Sequence, residues 1–110
     1  MNLEVGMYCF NKTNRKLGIG KILTEPTKYN NVVIEFKNGI TVVSSGNVVA
    51  SHNIKELIEA GDIVVFINNS YKEELLLIRN SYYEIDILNT YKIKSIVTKE
   101  QFESMQYKVD

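Results

Sequence analysis

Four cations fall within ten residues: Lys12, Arg15, Lys16 and Lys21. Tyr29, with Lys28 beside it, follows in the next loop. Ammonium and guanidinium groups near an aromatic ring can hold a phosphate while a base stacks on the ring. Arg79 with Tyr82 and Tyr83 around Asn80-Ser81 is a second grouping of the same kind. Arg occurs twice against eleven Lys, and its rigid fork makes each use the more pointed. Lys12, Arg15, Lys16, Lys21, Tyr29, Arg79, Tyr82 and Tyr83 are therefore the candidate ligand- or partner-binding residues. An ordinary solvated loop is the competing explanation for each group.

Catalytic chemistry has little to stand on. His52 is the single histidine, placed just before a helical segment, where a surface position is the expectation. Cys9 is the single cysteine, between Tyr8 and Phe10, and reads as a core side chain. One cysteine excludes an internal disulfide and a cysteine zinc site. Glu84 and Asp86 share one face if their segment is a strand, but a third ligand for a cation is missing. Gly18-Ile19-Gly20-Lys21 lacks the Ser or Thr, and the strand-to-helix setting, of a phosphate loop. Its glycines fit strand curvature or close strand approach instead. We therefore expect no enzyme, no metal and no cofactor.

The elements that position these residues are short strands and turns. Val32, Ile34 and Phe36 alternate with Val33, Glu35 and Lys37, and Asn38-Gly39 then turns the chain into Ile40 to Val43. Gly6 to Phe10 and Leu17 to Leu23 read as strands upstream. Ile63 to Ile67 is apolar throughout and reads as a central strand. Leu75 to Arg79, Tyr83 to Ile87 and Tyr91 to Val97 complete the set. Helices are predicted at 53–60 and 98–104. Asn53 with Glu56, and Thr98 with Gln101, have the spacing of capping boxes, and Gly61 is a natural stop for the first.

The halves run parallel. Leu3-Glu4-Val5-Gly6 matches Ile58-Glu59-Ala60-Gly61, and each is followed by a strand, a turn, a strand and finally a capped helical segment. The expected fold is mostly β, of small Src-homology-3-like barrel type, with two short helices. We expect one compact domain over 1–110, and the parallels leave open a repeat of 1–57 and 58–110, each a bent β-meander. The chain is 110 residues, 45% hydrophobic and 24% charged, with thirteen basic and thirteen acidic residues. Zero net charge disfavours a general nucleic-acid coat, yet residues 1–38 carry net +3. The longest apolar run, Ile63 to Ile67, is far short of a membrane span. The start of the sequence lacks a signal-peptide pattern.

The segments SHNIKELIEAGDIV (Ser51 to Val64) and IKSIVTKEQFESMQYKV (Ile93 to Val109), with VGMY at Val5 to Tyr8, resemble a family of small uncharacterised proteins of clostridial (Firmicutes) phages and mobile elements. The wealth of Ile, Asn and Lys accords with a genome rich in A and T. The resemblance implies a small, β-rich, cytoplasmic protein of phage or prophage origin, acting in a bacterial host cell. Its matching positions, Asn53, Leu57, Gly61, Ile96, Thr98 and Phe102, are caps and core, so it carries no catalytic role. The expected function is a non-enzymatic inhibitor of bacterial anti-phage defence. Its partner would be a host defence protein, such as a CRISPR effector, or the nucleotide or nucleic-acid ligand of one. A small β-barrel nucleic-acid-binding protein is the alternative. No membrane partner is expected, and homo-oligomers are open.

Overall fold

The computed structural model describes residues 2–79 and 82–105, leaving aside the side chains of Tyr82, Tyr83 and Ile85. The chain divides into two compact units, Met1–Leu57 and Ile58–Asp110. Strands dominate both, with two short α-helices in the second.

The first unit is one antiparallel sheet of β1 (Tyr8–Asn11), β2 (Gly20–Ile22), β3 (Asn31–Phe36), β4 (Gly39–Ser44) and β5 (Val48–Ser51), in the order β4-β3-β2-β1-β5. The meander is local, and β5 then returns to pair with β1. Alternation sets the faces. Met7, Cys9, Ile22, Val32, Ile34, Phe36, Val43, Val48 and Ala50 form one buried cluster. Gly20 is required by close packing: a Cβ there would lie 2.6 Å from the Glu35 carbonyl oxygen and 2.8 Å from Ile34 Cγ2. The β3–β4 hairpin forms as predicted, but Phe36 pairs with Gly39, so Lys37 and Asn38 are its two loop residues rather than Asn38 and Gly39.

The second unit holds β6 (Ile63–Ile67), β7 (Glu73–Leu77) and β8 (Lys92–Val97), in the order β7-β6-β8, with α1 (Tyr82–Thr90) and α2 (Lys99–Met105). The central place of Ile63–Ile67 is as predicted, and Val64, Val65 and Phe66 are buried. Neither sheet closes into a barrel, which corrects the barrel expectation.

The predicted strands Leu17 to Leu23 and Leu75 to Arg79 are Gly20–Ile22 and Glu73–Leu77, β5 is not among the predicted strands, and two predicted segments change type. The segment 53–60 is a single 3-10 turn, Ile54–Leu57, rather than an α-helix. Asn53 Oδ1 accepts the N–H of Lys55, but Glu56 turns to the Ser51 hydroxyl instead of reaching back to Asn53. The predicted strand Tyr83 to Ile87 is α1. Alternation over five residues is matched as well by a helix in which Glu84 is buried and Ile87 and Leu88 are half-buried. Glu84 is buried and accepts the backbone N–H of Arg79, and Tyr91, just past the helix, stacks at 5.2 Å on Phe66. These tertiary contacts override a weak periodicity. At Thr98 the capping box is complete: Thr98 Oγ1 accepts the Gln101 N–H and Gln101 Oε1 accepts the Thr98 N–H.

The two units repeat one hydrogen-bond pattern. Gly6 (φ 87°) donates its N–H to the Ile22 carbonyl, and Ile22 donates to the Met7 carbonyl. Gly61 (φ 94°) donates to the Ile78 carbonyl, and Ile78 donates to the Asp62 carbonyl. Met7 N–H bonds back to Glu4 as Asp62 N–H does to Glu59. The Glu4 N–H points to Met7 Sδ where the Glu59 N–H points to Asp62 Oδ2. Register follows: Tyr8–Lys21 in the first unit occupies the place of Ile63–Leu77 in the second. Where the first unit continues into the β3–β4 hairpin, the second has α1.

Candidate functional site

Cys9 faces the core, so Tyr8 and Phe10 project from the opposite face of β1. Each meets a cation. The Lys21 ammonium lies 5.1 Å from the Tyr8 ring centroid, and the Arg15 guanidinium 4.5 Å from that of Phe10. The pairing follows from register, because Tyr8 and Lys21 are directly opposite on β1 and β2. Arg15 arrives from a 3-10 turn, Arg15–Leu17, in the connection between those strands. Its side chain is buried, and Phe10 is 4% exposed. Arg15 thus acts as a lid on an aromatic ring, its stem covering apolar surface.

The same outer face carries a continuous cross-strand row, Ile40–Glu35–Lys21–Tyr8–Ser51. A neighbouring pair, Val42–Val33, extends it, and Leu23 joins through its N–H to the Val33 carbonyl. Ile40 and Val42 are 63% and 62% exposed on an edge strand. Apolar side chains thus flank a carboxylate, an ammonium and a phenol on one face.

No known family, curated protein or solved structure matches this chain.

The sequence-predicted residues are spread differently from their spacing. Lys12 and Lys16 are exposed at the end of β1 and in the 3-10 turn. Lys21 is exposed on β2, over Tyr8. Arg15 is turned inward and does not stand beside them as a surface cation. Tyr29 lies in a separate turn, 73% exposed, with the Lys28 ammonium 5.1 Å from its ring. Arg79 belongs to the second unit and is exposed, while the side chains of Tyr82 and Tyr83 lie outside the described residues. Tyr8, Ile40 and Val42 were missed as site residues. Their signal was the alternation of β1 and β4, which puts them on the face that the core does not use.

The remaining reactive groups stand apart. His52 Nε2 lies 3.6 Å from Glu4 Oε2 at the surface. Burial pushes the Cys9 thiol up to about 12, which holds it protonated and unreactive at neutral pH. An open cleft of about 700 Å³ in the first unit is lined by Glu4, Glu25, Pro26, Asn30 and Ser45 among others, none of them in the predicted set. Among the described residues, no three His, Cys, Asp or Glu side chains gather as a metal site, and no helix is long and apolar enough to cross a membrane.

Proposed function

We propose that this chain is a non-enzymatic binding protein of phage or prophage type that inhibits a bacterial anti-phage defence by occupying a host immune protein. The observation that carries the binding reading is the outer face of the first sheet. Exposed Ile40 and Val42 lie on the same face as Lys21, which is stacked on Tyr8. Apolar and aromatic groups with a limited polar complement make the composition of a protein-contact patch. Glu35 sits between Lys21 and Ile40 in the row, and its carboxylate opposes a phosphate backbone. That favours a protein partner over nucleic acid. The phage assignment rests on the resemblance of the terminal and central segments to phage proteins. The fold reading that accompanies it is a Src-homology-3-like plan, supported by the local meander, the 3-10 turn Ser45–Asn47 before β5, and the return of β5 to β1.

A nucleic-acid or nucleotide ligand is the second reading. The exposed Lys28–Tyr29 stack, with Lys12, Lys16 and Lys21, supports it. One experiment separates the two. The chain is expressed in a bacterium carrying an active CRISPR system and challenged with the targeted phage. The wild type is expected to raise plating efficiency at least tenfold, Ile40→Glu with Val42→Glu to abolish the effect, and Lys12→Glu with Lys16→Glu to leave it. Thermal midpoints confirm that the variants fold. The opposite ordering of variants favours the nucleic-acid reading, and an unchanged plating efficiency with the wild type overturns the CRISPR target.

A further inference from the structure

The shared hydrogen-bond pattern equates β2 with β7 through Ile22 and Ile78. In the first unit the far edge of β2 is occupied: Leu23 N–H donates to the Val33 carbonyl of β3, and Lys21 lies opposite Glu35. In the second unit the corresponding residues have gone into α1. Among the described residues, no strand pairs with the far edge of β7.

The direction of each backbone group on β7 follows from Ile78. Ile78 exchanges both of its hydrogen bonds with the Gly61–Asp62 side. Backbone groups alternate along a strand, so Leu76 and Glu74 also point toward β6, and Leu77, Leu75 and Glu73 point their N–H and C=O groups outward. Leu75 and Leu77 are 72% and 45% exposed. Soluble proteins usually guard such an edge with lysine, proline or a bulge. Here the outward residues are two leucines and Glu73, whose carboxylate is engaged by the Lys94 ammonium. The one register shift in this sheet lies between β6 and β8, on the other side.

We propose that β7 pairs with β7 of a second copy of this chain, antiparallel about a two-fold axis at Leu75. The occupant follows from the sequence of the edge. In that register Leu75 faces Leu75 and each Glu73 faces a Leu77, so no carboxylate meets its twin. The three outward residues of each strand then exchange their hydrogen bonds in full. The two three-stranded sheets become one sheet of six strands, and the interface is isologous. This inference is independent of the partner proposed for the first unit.

The test is sedimentation equilibrium of the full chain across a concentration series reaching the millimolar range. The wild type is expected to move from the 12.6 kDa chain mass to twice that mass. Leu75→Lys places two ammonium groups opposite each other at the axis and is expected to stay monomeric, as is Leu75→Glu. An equal mixture of the two variants is expected to recover the doubled mass, because the axis brings position 75 of each chain together. Circular dichroism melts establish that each variant folds. A wild type that stays monomeric throughout overturns the proposal. Dimers that survive in both single variants, or a mixture that fails to recover them, overturn it equally and place any self-association elsewhere. A foreign strand as the true occupant would appear as a monomeric wild type that gains strand signal with an added peptide of the β3 sequence.

Discussion

Ile22 and Ile78 hold the same place in two different sheets: each gives its N–H to the residue after a left-handed glycine and takes the N–H of that glycine. The side chains around this shared bracket have diverged. Met7 in one unit is Asp62 in the other, and the difference changes what each bracket holds. Met7 joins an apolar cluster. Asp62, fully buried, accepts the backbone N–H groups of Glu59 and Lys99, tying the start of β6 to the start of α2.

Asp62→Ala is expected to destabilise the second unit by about 3 kcal/mol or more, since each hydrogen bond to a charged acceptor is worth roughly 1.5–3 kcal/mol and two donors are stranded. Asp62→Asn keeps one acceptor and is expected to fall between. Urea midpoints with helix-sensitive circular dichroism measure both. Equal midpoints for wild type and Asp62→Ala would contradict this reading of the bracket.

The caps differ in setting and are expected to differ in cost. Thr98 is fully buried and forms a reciprocal pair with Gln101. Asn53 is exposed and caps a single 3-10 turn. Within the range of about 0.5–2 kcal/mol for lost caps, Thr98→Ala is expected near the top and Asn53→Ala near the bottom. Denaturation of the two variants side by side tests the order.

Gly20→Ala pushes a methyl group against backbone and two β3 side chains. Overpacking of this kind costs about 1–3 kcal/mol, and the Glu35 carbonyl cannot swing away as a flexible side chain can. The expected result is a lowered melting midpoint, with Gly46→Ala, where the added group meets open space, as the mild comparison.

The Cys9 thiol, ordinarily near 9.0, is raised by burial to about 12. The folded chain therefore keeps a proton that the unfolded chain sheds above about pH 9. The stability linked to this group is complete below pH 9 and is lost as pH rises toward 12. Urea midpoints of wild type and Cys9→Ala, taken from pH 8 to about pH 11, are expected to show the wild type losing more of its stability over that interval. A thiol reagent at pH 8 is expected to label Cys9 only after denaturant is added.

What could be read from the sequence followed the strength of each local signal. Ile63 to Ile67 announced a central strand because its apolar run allows no polar face. The Thr98–Gln101 pair announced its helix because two side chains satisfy two backbone donors reciprocally. The segment from Tyr83 to Ile87 misled because five residues fit both periods. What settles it, Glu84 on the Arg79 N–H and Tyr91 against Phe66, depends on partners outside that five-residue window. Of the candidate site, Lys12, Lys16 and Lys21 are exposed as charge alone suggests. Arg15 could not be placed by charge, because a guanidinium that finds an aromatic ring and buries its own stem is indistinguishable in sequence from one in water.

The pairing of Tyr8 with Ser51 closes nearly the whole first unit into one loop. Every other pairing in that sheet joins strands adjacent along the chain and repays its ordering cost early. The β1–β5 contact must wait until the meander has brought the two ends within reach, since loop closure entropy is spent before any reward arrives. The last strand of this unit therefore docks after the rate-limiting step, which is formation of the meander. Substitutions in β5, such as at Ala50, should speed unfolding while leaving the folding rate nearly untouched, whereas those in the β3–β4 hairpin slow folding itself.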